Sequence, residues 1–126
     1  MRRFLRFNLV GGLGIGVQLA TMGLLADVAG LDVAPATVVA VSLAVVHNFA
    51  WHWRWTWADR HGRGMGAAFV QFAVANGLVS LAGNLAVMMC LTRATSLPAV
   101  EANAIAIVAC GLVNYWLADG VVFRRG

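Results

Sequence analysis

One stretch of the chain gathers most of the groups that could do chemistry: His47-Asn48-Phe49-Ala50-Trp51-His52-Trp53-Arg54-Trp55-Thr56-Trp57. Four tryptophans alternate around an arginine. Arg54 offers a planar fork that suits a phosphate, His52 offers a second donor, and the indoles, Trp55 among them, would hold both at the depth of lipid headgroups. The same residues also read as an aromatic belt with a basic anchor, the ordinary ending of a membrane-spanning helix. A metal site built from His47, His52 and His61 is disfavoured, because no carboxylate or thiolate is arranged near them.

A second polar set is Asn76, Ser80 and Asn84, spaced i, i+4, i+8 and so on one helix face. Two roles stand open: hydrogen-bonding glue between helices, or a polar path through an apolar layer. Asn103 and Asn114, eleven residues apart, also fall on roughly one face. Gln18, Thr21 and Ser42 are further polar residues within apolar runs. Catalytic residues are not apparent. The chain has one Glu, its four Asp lie near the ends of apolar runs, and no Ser–His–Asp arrangement or set of acidic metal ligands can be drawn. Gly11-x-x-Gly14 follows no strand and is not a nucleotide loop. A non-enzymatic protein without a cofactor is expected.

The elements that position these residues follow from composition. The chain has 126 residues, of which 61% are hydrophobic and 11% charged, against about 25% charged in an ordinary soluble domain. Mean hydropathy is +0.80. A soluble domain this small could not bury so much apolar surface, and disorder requires the opposite composition. An integral membrane protein remains. The net charge of +4 comes from nine arginines and five acids; the arginines are scattered and form no nucleic-acid stripe. Cys90 and Cys110 sit in apolar runs and read as small apolar fillers.

Charges punctuate the chain. The uncharged gaps run 20 residues from Arg6 to Asp27, 21 from Asp32 to Arg54, 29 from Arg63 to Arg93 and 17 from Glu101 to Asp119. A crossing needs about 20 apolar residues. The expectation is therefore an all-α integral membrane protein, a single domain over 1–126, with four transmembrane helices at about 6–27, 34–54, 67–91 and 98–119. Pro35 and Pro98 fall at helix starts, where a missing N–H costs nothing. The first span begins like a signal peptide, but its apolar run is longer than a signal's and it is expected to be retained. Counted over alternate loops, arginines number eight on one side and one on the other, which predicts a cytoplasmic N-terminus, C-terminus and central loop.

A weak repeat runs through this pattern. Phe4-x-x-Phe7 recurs as Phe69-x-x-Phe72 and Gly12 as Gly77, shifted by 65; Asn48-Phe49 recurs as Asn114-Tyr115 and Trp57 as Phe123, shifted by 66. Each copy is expected to be one helical hairpin, and the two hairpins to run parallel. Gly12, Gly16, Ala20 and Gly23 form a small-residue stripe expected to pack closely against another helix.

Three segments carry a resemblance to a known family. The opening Phe4-Leu5-Arg6-Phe7-Asn8-Leu9-Val10-Gly11-Gly12, the stretch from Asn48-Phe49 through Arg54-Trp55-Thr56-Trp57, and the close from Val113-Asn114-Tyr115 through Val121-Val122-Phe123-Arg124 resemble the GtrA-like family of small four-helix membrane proteins. Two positions depart from the pattern: the basic pair usual after helix 2 is here Trp53-Arg54, and the second copy reads Ala118-Asp119-Gly120.

The resemblance implies movement of polyprenyl-phosphate-linked sugars across the cytoplasmic membrane for cell-envelope glycan assembly, alongside a membrane glycosyltransferase. On that reading Arg54, with Arg6, His52 and Trp55, would take the phosphate at the inner headgroup level among the membrane lipids. Asn48, Asn76, Ser80, Asn84 and Asn114 would offer hydrogen bonds to the sugar. Two rivals stand beside it. One is a scaffold that anchors or activates a glycosyltransferase and moves nothing. The other is a small multidrug-type exporter, ranked lower because such exporters use a carboxylate in helix 1, where this chain has the non-titrating Gln18. Four helices enclose little space, so a homodimer or a partner complex is expected.

Overall fold

Helix follows the apolar runs, and the chain leaves it at residues 29–32, 57–60 and 95–97. The computed structural model describes residues 1–60, 62, 64–97 and 99–124. His61, Arg63, Pro98 and Arg125 lie outside the described residues, as do the side chains of Asn84 and Asn103. The chain divides into two compact units, Met1–Asp59 and Arg60–Gly126.

The first unit is a helical hairpin. Helix α1 is Arg2–Met22 and continues as a π-helical segment, Gly23–Val28. The chain turns at Gly30, whose φ of 68° lies in the left-handed region that favours glycine. Helix α2 is Val33–Trp51, with Pro35 in its first turn, where the N–H would be unbonded anyway. It runs on as a second π-helical segment, His52–Thr56, and the chain leaves the helix at Trp57.

Helices α1 and α2 pack against each other. The buried residues of α1 are Phe7, Val10 and Gly14, a spacing of three and four that marks one helix face. Along α2, buried Ala36, Ala40 and Ala44 recur every four residues. Gly14 leaves room for the Asn48 side chain of α2: a methyl group there would collide with it. This differs from the small-residue stripe expected from the sequence. Gly12, Gly16 and Ala20 are exposed, and a Cβ at Gly12 or Gly16 would meet nothing within 4 Å. The bulky Phe7 and Val10 select the contact face, and the glycine on that face makes room for Asn48.

The second unit is built from helix α3 (Met65–Leu78), a π-helical segment Val79–Gly83, helix α4 (Asn84–Ala94) and helix α5 (Ala99–Leu117), which continues as a π-helical segment, Ala118–Val122. Helix α4 packs against α5, and α3 meets both α5 and the segment after it. Its buried residues include Ala68, Phe72, Ala106, Cys110, Ala118, Val122 and Phe123.

Large apolar side chains point outward along these helices, among them Leu9, Leu13, Ile15, Leu19, Val38, Val70, Ile107 and Val108. Only His52 and Thr56 are buried polar residues among the described ones. A protein that turns apolar side chains outward on this scale is built for lipid. Among the described residues, three helical stretches are long and apolar enough to cross a membrane: Arg2–Val28, Pro35–Thr56 and Ile105–Val122. They cover the expected spans 6–27, 34–54 and most of 98–119. They reach two or more residues past the first charge at some ends, because a long arginine stem lets helix continue to the interface. On the expected span 67–91, Met65–Leu78 is an apolar helix shorter than a crossing, and the helix continues beyond it through the π-helical segment into α4.

Candidate functional site

One end of the first unit is organised by the π-helical segment His52–Thr56. Such segments widen the helix locally and recur at functional sites. His52 Nδ1 shares a hydrogen bond of 3.0 Å with Thr56 Oγ1. Its ring stacks on Phe7, with centroids 4.8 Å apart and planes 10° from parallel, and meets Trp57 edge-on at 5.2 Å. Phe7 and Trp57 complete the cluster at 6.0 Å and 72°. His52 is 1% exposed and Trp57 0%. The structure thus places His52 inside the first unit, away from the exposed surface where the sequence suggested a second phosphate donor. The aromatic neighbours bury the ring, and the hydroxyl one turn on satisfies its nitrogen.

Arg6 and Trp55 are brought together. Arg6 Nη1 donates to the Trp55 carbonyl at 3.0 Å, and the guanidinium carbon lies 5.1 Å from the centroid of the Trp55 ring. This cation–π contact and hydrogen bond tie the start of α1 to the end of the segment following α2. Trp55 also meets Trp51 edge-on at 6.3 Å. Arg54, between Trp53 and Trp55, is exposed and forms no hydrogen bond or ion pair with a described residue. Arg3 and Asp59 pair at the same end of the unit. The result is a guanidinium open to solvent at Arg54, next in sequence to the indole on which Arg6 is fixed, and an exposed guanidinium is able to bind an anion.

The amide and hydroxyl residues divide between the units. In the first, Asn48 packs on Gly14, and its Oδ1 lies 3.2 Å from His47 Nδ1. In the second, Asn114 Nδ2 donates to Ser80 Oγ at 3.4 Å, while Asn114 Oδ1 is buried without a partner. Asn76 is half-buried, and the Asn84 side chain lies outside the described residues. Ser80 and Asn114 therefore meet, which the spacing along one helix could not reveal.

Two sets of residues escaped the sequence reading. Phe7, Thr56 and Trp57 surround His52; the recurrence of Phe7 and Trp57 in the repeat was the signal available. Arg60 and Asp119 form an ion pair of 2.9 Å, and their 59-residue separation leaves no local signal. Among the described residues no three His, Cys, Asp or Glu side chains gather to hold a metal.

Among curated proteins none matches the chain. A family model described as GtrA/DPMS, transmembrane domain, matches residues 6–123, nearly the whole sequence, and the chain belongs to that family.

Proposed function

We propose that this protein moves polyprenyl-phosphate-linked sugars across the cytoplasmic membrane without catalysing a covalent step. Membership of the GtrA/DPMS family fits a membrane protein tied to polyprenyl-phosphate sugar processes; translocation is the finer reading offered here. The observation that carries it is Arg54, exposed and without a described partner, one residue along the chain from the Trp55 that holds Arg6. A lipid phosphate would give Arg54 the anionic partner it lacks among the described residues. Trp55 and its neighbouring indoles anchor that surface at the interface. His52 lies inside the same segment, packed against Phe7 and Trp57. Asn48, Asn76, Ser80, Asn84 and Asn114 would receive the sugar hydroxyls.

In this reading the helices through Ala94 complete a fourth crossing, both termini face the cytoplasm as the arginine distribution favours, and the partners are a membrane glycosyltransferase and a second copy of the chain. The test is headgroup accessibility. Liposomes carrying a polyprenyl-phosphate sugar receive the purified protein, and an outside reagent oxidises the exposed sugar. The reactive fraction should rise from about half, the outer leaflet alone, toward all of it. Arg54→Ala should weaken lipid-phosphate binding by roughly tenfold, the worth of a charge-assisted hydrogen bond. A fraction that stays at half with protein present overturns translocation and favours the scaffold reading.

A further inference from the structure

In the second unit, we infer that Arg60 is a phosphate-binding residue held in reserve by Asp119, a reading that rests on the proposed phosphate ligand. Arg60 leaves only 11% of its side chain exposed. Its Nη1 serves both described bonds, to Asp119 Oδ1 at 2.9 Å and to the Asp119 carbonyl at 3.3 Å. Its Nε is buried and has no partner. Arginine ordinarily meets a carboxylate through two parallel N–H bonds. Here one nitrogen does all the described work, and a second donor of the same rigid fork is left unsatisfied. A buried donor without an acceptor is costly, and a pure structural brace would be expected to use it.

Asp119 completes the picture. It is 35% exposed, so the pair opens to solvent on the carboxylate side, where an anion would exchange with it. It stands at the repeat position of Trp53, one residue before the counterpart of Arg54. The first unit shows its arginine openly, whereas the second covers one with a carboxylate. Asp119 is an internal stand-in anion. A phosphate oxygen would displace the carboxylate from Nη1, and a turn of the Arg60 side chain would then bring the unsatisfied Nε to a second oxygen. The ligand chemistry is a phosphate group, whether carried by a prenyl lipid or free in solution.

The test is binding of geranyl phosphate, and separately of inorganic phosphate, to the full chain in lipid nanodiscs by isothermal titration. Arg60→Gln should weaken geranyl phosphate binding by roughly tenfold, and Asp119→Asn should tighten it by roughly two- to fivefold because the competing charge is gone. A gain of affinity cannot come from misfolding, so Asp119→Asn keeps the outcome readable if Arg60→Gln unfolds. A preference for geranyl phosphate over inorganic phosphate supports a lipid source, and equal binding of the two supports a soluble one. Unchanged affinity in both variants, or a loss in Asp119→Asn, overturns the inference and makes the pair a brace. A wild-type chain that binds neither probe overturns the proposed phosphate ligand itself.

Discussion

The two units end their last helices in the same way and fill that ending with different chemistry. In the first, the π-helical segment His52–Thr56 closes with the Trp57 N–H on the His52 carbonyl at 2.9 Å, and Trp57 leaves at φ −122°, ψ 35°. In the second, Ala118–Val122 closes with the Phe123 N–H on the Ala118 carbonyl at 2.8 Å, and Phe123 leaves at φ −106°, ψ 37°. Each departing aromatic lies near a phenylalanine of its own unit: Phe7 to Trp57 at 6.0 Å, Phe72 to Phe123 at 6.4 Å. Inside the turn, the first unit holds a hydrogen-bonded imidazole and hydroxyl, and the second holds Ala118 and Val122, both buried and apolar. The backbone device is therefore independent of the polar pair. What holds the turn in both units is the five-residue hydrogen bond and the aromatic wedge. The polar pair is an addition of the first unit, where Arg54 and Trp55 also sit.

The largest effect should come from the wedge. Trp57 is fully buried and touches both Phe7 and His52. Trp57→Ala should cost about 3–5 kcal/mol of stability, read by denaturant titration in detergent, with Phe123→Ala close behind. If Phe123→Ala is silent while Trp57→Ala is severe, the two turns are not equivalent and the comparison breaks. Next in size is Gly14→Val, where the added methyl groups drive into Asn48; overpacking of this kind costs about 1–3 kcal/mol. Gly12→Val, two residues earlier on an open face, should leave the same titration unchanged apart from helix propensity. Equal losses at both positions would mean that α1 and α2 do not meet along the face of Phe7, Val10 and Gly14.

Much of this fold was legible before the structure. Apolar runs between charges marked the helical stretches, because a charge deep within lipid is expensive and charges therefore gather toward the helix ends. The aromatic pairs that recur at 65 and 66 residues prove to be the ones in contact within each unit. The π-helical segments were not legible, since a widened turn leaves no periodic mark in an all-apolar stretch. His52 reads in the sequence as a second phosphate donor beside Arg54, and the structure buries its ring against Phe7 and Trp57, a burial that spacing along the helix does not mark. Pairings across distant residues, such as Arg60 with Asp119 and Ser80 with Asn114, depend on which helices meet, and spacing along one helix carries no trace of that.

The smallest effect isolates the polar pair itself. Thr56→Val gives the first unit the residue found at the matching position of the second. It keeps the shape of the side chain and removes only the hydroxyl that faces His52 Nδ1 at 3.0 Å. Hydrogen bonds between groups within membrane proteins are worth about 0.6 kcal/mol on average, since alternative partners exist in the unfolded state. A stability loss near that size is expected, with Thr56→Ser restoring it. The more telling readout is nitrogen NMR of His52, whose Nδ1 resonance should move on loss of the hydroxyl and return in the serine variant. Wild-type stability and an unmoved resonance in Thr56→Val would mean that the turn stands on its aromatic wedge alone. In that case His52 would be a polar residue tolerated by the first unit, and the two units would differ in their arginines and not in how they hold them.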